Sequence, residues 1–172
     1  MSKRHAMPRV GILMGSKSDW PTIRHASLML SEFDVPHESR VLSAHRTPRQ
    51  ACEYAETAES RGLGVIICAA GGAAHLAGVI AAHTHLPILG VPMKGWSVEG
   101  MDALLATVQM PAGIPVGTLA IGKAGAKNAA LLAVSILSLA DNALRGRYLA
   151  FRERQCQEVL AADLPPADDA RG

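Results

Sequence analysis

Aromatic side chains are scarce, with two Trp, two Tyr and two Phe making up 3% of the 172 residues. Trp20, Phe33, Tyr54, Trp96, Tyr148 and Phe151 stand singly, so the chain offers no platform on which successive nucleic-acid bases would stack. An excess of one charge is missing as well. Lys and Arg number 17 against 15 Asp and Glu, a formal net charge of +2 without the clustered basic face that tracking a phosphate backbone requires. Cysteine is limited to Cys52, Cys68 and Cys156, far apart and without a Cys-x-x-Cys pair, which excludes a disulfide framework and a zinc knuckle. Residues 62–93 contain no Asp, Glu, Lys or Arg. Gly71, Gly72, His75, Gly78, His83, His85 and Pro87 interrupt that stretch, and no apolar run reaches the ~20 residues of a membrane span. Met1–Pro8 is polar and lacks the apolar core of a signal peptide, so a cytoplasmic protein is expected, with neither membrane nor nucleic acid as partner.

What the chain does contain is apolar material in short, regular pieces. Hydrophobic residues make up 49% and charged residues 19%, which argues against disorder, and alanine, at 29 of 172, favours closely packed helices. Such a length suits one domain with a real core. Strands are expected at residues 9–14, 36–43, 64–70, 87–91 and 116–121. Helices are expected at 19–33, 47–61, 73–84 and 99–109, and over 126–160 as one long helix or two. Thr47 followed by Pro48 marks a helix start, with Thr47 as the capping residue. Apolar strands alternating with helices imply a doubly wound parallel sheet covered on both faces: a single-domain, three-layer αβα sandwich, flavodoxin- or Rossmann-like, with a long C-terminal helical segment. The expected organisation is a flexible segment 1–8, one catalytic domain over 9–160 and a polar tail over 161–172. Residues 73–82 lack a charged face and 128–140 are uncharged, which points to a large subunit interface, the alternative being burial beneath the C-terminal segment of a monomer.

In such a sheet ligands bind beyond the carboxyl ends of the strands, which directs attention to residues 15–20, 43–48, 70–75, 92–99 and 122–127. Gly15-Ser16-Lys17-Ser18-Asp19 opens the first helix with free amides and small hydroxyls, a phosphate site or else an ordinary helix cap made by Ser18 or Asp19. In Ser43-Ala44-His45-Arg46-Thr47-Pro48, His45 offers an imidazole suited to proton transfer near neutral pH and Arg46 a bidentate phosphate ligand; a merely structural histidine is the other reading. Gly71, Gly72 and Ala73, just before His75, let a ligand approach the backbone or let the helix pack tightly on the sheet. The run from Gly117 to Ala124 nearly matches a P-loop, but Ala124 replaces the magnesium-binding hydroxyl and 117–121 reads as strand, so nucleoside triphosphate binding is excluded. His83 and His85 sit at a helix C-terminus, where the dipole favours them, with no acidic or cysteine residue nearby in sequence; no metal site is expected. A flavodoxin-like binding protein is the alternative from another class, although aromatics to sandwich an isoalloxazine are missing.

Taken in order, GSKSDW (15–20), SAHRTP (43–48), AGGAAHL (70–76) and QMPAGIPVGTLAIGKAGAKNAALLA (109–133) resemble the PurE family, the catalytic subunit of phosphoribosylaminoimidazole carboxylase. Arg46 stands where the directly carboxylating branch of that family usually has Lys, and AGGAAH replaces that branch's Gly-Arg-Ser-Asn type loop. The resemblance therefore implies N5-carboxyaminoimidazole ribonucleotide mutase, an isomerase of de novo purine (IMP) biosynthesis. It implies a catalytic His45, with Ser16, Ser18, Asp19, Ser43, Arg46, Gly71, Gly72, Ala73 and His75 binding the ribonucleotide: Ser16, Ser18 and Arg46 at the phosphate, Asp19 at the ribose, His75 facing base and carboxylate. It further implies a homo-octamer that uses no cofactor, neither metal nor ATP. Ala77, where the family usually has Pro, and Lys94-Gly95-Trp96 depart from the family pattern.

Overall fold

Five short parallel strands carry the architecture of the computed structural model, which describes residues 9–95 and 98–163. The expected segment 1–8, residues 164–172 of the expected tail, and Trp96 lie outside the described residues. The strands are β1 (Val10–Met14), β2 (His37–Val41), β3 (Val65–Ala70), β4 (Ile88–Pro92) and β5 (Gly117–Thr118), in the order β2-β1-β3-β4-β5. That order is the flavodoxin-like one, in which chain direction across the sheet reverses between β1 and β3 and leaves a crevice at their carboxyl ends. Helices α1 (Trp20–Glu32), α5 (Lys123–Ser138) and α6 (Asn142–Leu160) cover one face, and α2 (Pro48–Ala58), α3 (Leu76–Ala82) and α4 (Met101–Val108) the other.

Burial on both faces explains the strand sequences. Val10, Ile12 and Met14 of β1 join the core under α1 and α5, while Leu13 joins the core under α2 and α3. Each strand residue thus meets a helix whichever way it points, and continuous apolar runs result. The exception is β2, an edge strand reading HESRV with no fully buried residue. Close approach sets one position: a Cβ on Gly90 would run into Thr107 Cγ2 of α4.

Several expected boundaries shift for identifiable reasons. The helix expected from residue 73 starts at Leu76, because Gly72 adopts φ +59 and residues 73–75 close a tight turn in which His75 N–H donates to the Ala73 carbonyl (2.8 Å). Ala77 is the second residue of α3, a position in the first turn where proline and alanine are both tolerated. The expected strand over 116–121 shrinks to Gly117–Thr118. Leu119 N–H donates to Gly90 O and Gly122 N–H to Pro92 O, so three residues span two on β4 and the ladder bulges. Thr47 precedes α2 as expected but does not cap it with its side chain. Its hydroxyl turns back to accept from Ser43 N–H (2.8 Å). The C-terminal segment is two helices. Asp141 is extended (φ −140, ψ 93), caps α6 by accepting from Leu144 N–H (3.0 Å) and pairs with Arg9 (2.8 Å), tying the break to the start of β1.

The uncharged run of α5 is covered largely within the chain. Ala126, Ala129, Ala130 and Ala133 are fully buried, and their small side chains let α5 sit closely against α1 and the sheet. Leu132 remains 38% exposed and Leu139 88%. On α4 the residues Met101, Leu105 and Val108 line one outer face with Val98, all about half exposed. Among the described residues no helix is long and apolar enough to cross a membrane.

Candidate active site

A cleft of about 590 Å³ opens at the carboxyl ends of β1 to β4. It is assembled from four loops, each following one strand, and the parallel register sets their ends side by side: Met14 pairs with Val41 and with Ala69, and Ala70 with Pro92. All ten residues expected from the sequence line it: Ser16, Ser18, Asp19, Ser43, His45, Arg46, Gly71, Gly72, Ala73 and His75.

The loop after β1 is wound into a single 3₁₀ turn, Lys17–Asp19, capped by Ser16 rather than by Ser18 or Asp19. Ser16 Oγ accepts from Ser18 N–H (3.3 Å) and Ser18 Oγ (2.8 Å), and Asp19 Oδ2 accepts from Ser16 N–H (3.2 Å). Amides and hydroxyls are gathered at the entrance to α1, the arrangement that suits an oxyanion. Asp19 carries its carboxylate at the edge of this turn. Burial pushes its carboxyl above the ordinary 3.8, and the Ser16 N–H bond and the Arg46 charge only partly oppose that push.

The loop after β2 is organised by Ser43, which is buried. Its Oγ accepts from the His45 and Arg46 amides (3.3 and 3.2 Å), and its own carbonyl accepts from Thr47 N–H (2.9 Å). The hydroxyl sets the direction of both functional side chains. Arg46 Nη2 donates to Gly15 O (2.5 Å), which clamps the second loop to the first; Nε donates to Ser43 Oγ (3.5 Å), and the Nη1 hydrogens remain for a ligand.

His45 Nε2 and His75 Nδ1 lie 2.8 Å apart, with the rings edge-to-face at a centroid distance of 4.9 Å. One hydrogen is shared between the two rings, so the tautomer of each fixes that of the other. His75 reaches this position because the turn at 72–75 delays the start of α3. Gly71, Gly72 and Ala73 supply the narrow wall beside the pair.

Met93 and Leu76 also line the cleft without being singled out from the sequence, and so do Lys94 and Gly95, which the sequence marks only as departures from the family pattern. The loop after β4 was a candidate by position alone, since no residue in it carries a recognisable pattern. Among the described residues, Lys94 is the one cation besides Arg46 on the cleft wall, and it is paired with Glu99. The loop at 122–127 does not contribute to the cleft lining. His83 and His85 lie apart from the cleft. Neighbours absent from the local sequence arrive through packing: α2 brings Glu56 and Cys52 to His83, and Glu59 at its end reaches His85 (3.2 Å). Among the described residues, no three His, Cys, Asp or Glu are grouped to hold a metal ion.

Comparison with known proteins places these loops in context. The chain is 55% identical over 161 residues to an N5-carboxyaminoimidazole ribonucleotide mutase of Pseudomonas aeruginosa, covering 94% of this chain and 98% of that one. Its identity to the enzyme of the same name from Bacillus subtilis is 56% over 153 residues, 89% and 94% of the two chains. The crystal structure of Treponema denticola PurE superimposes with a TM-score of 0.80 at 28% identity, covering 89% of this chain and 94% of that one. The model of the AIR carboxylase family matches residues 9–158, from the first strand to the last helix. The chain belongs to the AIR carboxylase family.

Proposed function

We propose that the chain converts N5-carboxyaminoimidazole ribonucleotide to 4-carboxyaminoimidazole ribonucleotide, with His45 as its acid–base group. The relatives carrying the name of that mutase are more than 50% identical to it across nearly their whole length. The observation that carries the residue assignment is the hydrogen-bonded His45–His75 pair, set between the Ser16–Asp19 turn and a wall of small residues.

The reaction moves a carboxyl group from the exocyclic nitrogen to a ring carbon. Protonation of the exocyclic nitrogen releases carbon dioxide from the carbamate. The aminoimidazole left behind is an electron-rich enamine, and its ring carbon attacks the same carbon dioxide. Loss of the proton at that carbon restores aromaticity. One proton is given and one taken in sequence, so a single imidazole serves both steps. His75 holds the His45 ring by the shared hydrogen and faces the base and carboxylate. Ser16, Ser18 and Arg46 hold the phosphate, Asp19 the ribose, and the Ser43 hydroxyl keeps His45 and Arg46 aimed. Gly71, Gly72 and Ala73 form the wall against which carbon dioxide is held between the two steps. No step needs a nucleotide triphosphate or a metal-bound nucleophile.

Residues 9–160 act as one catalytic domain in the cytoplasm, and eight copies assemble, a number taken from the family resemblance. Support for assembly comes from Met101, Leu105 and Val108 on α4 with Val98 before it, and from Leu132 on α5 with Leu139 at its end, which one chain leaves exposed. The test is ultraviolet absorbance of carboxyaminoimidazole ribonucleotide conversion, with and without added bicarbonate. Conversion independent of bicarbonate is expected; strict dependence on it would assign direct carboxylation of aminoimidazole ribonucleotide instead.

A further inference from the structure

Cys52, Glu56 and His83 form a cluster that the cleft does not use. Cys52 and Glu56 lie one turn apart on α2, and His83 ends α3 beside them. His83 Nε2 is 3.2 Å from Cys52 Sγ, and its Nδ1 is 3.0 Å from Glu56 Oε1. An ionised carboxylate only accepts hydrogen bonds, so Nδ1 bears the hydrogen and donates it to Glu56. In the neutral ring the lone pair then sits on Nε2, facing the thiol. That is the tautomer able to take the thiol proton, and Glu56 stabilises the imidazolium that results. A clasp joining α2 to α3 would need only the sulfur–imidazole bond; the carboxylate on the far nitrogen adds an oriented base. Cys52 is partly exposed, so its sulfur is within reach of a small molecule. The other thiols differ: Cys68 is sealed in the core, where burial pushes its thiol up, and Cys156 is exposed on α6.

We propose that Cys52 is a nucleophilic thiol that forms mixed disulfides with low-molecular-weight disulfides, with His83 accepting its proton and Glu56 orienting the imidazole. In the exchange, Cys52 Sγ attacks one sulfur of the small disulfide as its proton passes to His83. A bond from Sγ to that sulfur forms and the original S–S bond breaks. The departing thiolate leaves with the electron pair and takes the proton from His83. One thiol and one disulfide enter, and one of each leaves, so no further oxidant is required.

The test treats the intact chain with oxidised glutathione near neutral pH and follows each cysteine by peptide mass spectrometry. Cys52 should form the mixed disulfide about tenfold faster than Cys156, although Cys156 is the more exposed. His83→Gln should lower the ratio of the two rates about tenfold, and Glu56→Gln by a smaller factor. Because Cys156 is read in the same molecule, it corrects for reagent and concentration. In urea the two rates of the native sequence should converge, since the fold alone brings His83 to Cys52. A native-state rate at Cys52 no faster than at Cys156, or a ratio that His83→Gln leaves unchanged, would overturn the proposal. Should His83→Gln fail to fold, Glu56→Gln at its exposed position decides, and an unchanged ratio there also overturns it.

Discussion

His45 and His75 share one hydrogen bond, so a change in either ring alters the hydrogen bonding of the other. If His75 only holds the ring and faces the carboxylate, His75→Asn should retain more turnover than His45→Asn in a steady-state absorbance assay. Arg46→Ala should act mainly on binding, raising KM ~10- to 100-fold through loss of a charge-assisted phosphate contact while kcat changes less. Asp19, proposed above to hold the ribose, carries a local cost. Its carboxyl is raised, chiefly by burial, so the ionised form is disfavoured in the folded chain and its contribution to stability falls as pH rises through the raised value. Asp19→Asn should therefore keep or raise the Tm at neutral pH, by thermal denaturation, while substrate affinity drops. These residues were legible because hydroxyl, imidazole and guanidinium groups stand at strand ends, where a parallel sheet places its ligands. Met93 and Leu76 were not, since each is an ordinary residue whose presence in the cleft depends on how α3 and the loop after β4 settle. The Cys52–Glu56–His83 cluster was invisible for another reason: His83 lies 31 and 27 residues from its partners and meets them only when α2 and α3 pack.

At the scale of elements, alternation of apolar runs and helical spacing located five strands and the helices between them, but not their ends. Ends are decided by side chains that bond to the backbone locally, and the same residue types serve several purposes there. Thr47 bonds Ser43 rather than capping α2, and Asp141 decides in favour of two helices where the sequence left one or two open. Asp141→Ala should cost about 1 kcal/mol through loss of the α6 cap, measured by urea denaturation. The same carboxylate contributes to acid sensitivity. Hydrogen bonds from Leu144 N–H and Arg9 hold Asp141 below its ordinary 3.8. Burial pushes Glu38 up, but the Arg61 bond (2.5 Å), the Tyr54 hydroxyl and the charges of Arg61 and Arg40 together outweigh it and leave the group below its ordinary 4.5. Both groups stay ionised to lower pH in the folded chain than in the unfolded one. Their stabilisation is complete above the ordinary values and is lost as pH falls through the lowered ones. Thermal denaturation should show Tm falling below about pH 4.5, and Asp141→Asn should flatten part of that fall.

For the whole molecule, the uncharged α3 and α5 suggested more free apolar surface than the fold leaves. α5 spends its alanines on α1 and the sheet, because a three-layer domain with a sixth helix has more interior than the strand count implies. What remains exposed is narrower: one face of α4 and the leucines at 132 and 139. Leu132→Asp places a charge on that remaining surface rather than in the chain's own core. It should dissociate the assembly while leaving the far-ultraviolet circular dichroism of the subunit intact, with light scattering reporting the mass. A native chain of monomer mass at micromolar concentration would contradict the assembly. The central claim, that one imidazole both gives and takes the proton of carboxyl transfer, is tested most directly by His45→Asn in otherwise intact protein, with turnover and ribonucleotide binding measured together. Turnover should fall by ~10⁴-fold or more, the top of the range for a single acid–base group, while binding through Ser16, Asp19 and Arg46 changes little. Near-native turnover in His45→Asn, with loss of activity in His75→Asn, would contradict it and exchange the roles of the two histidines.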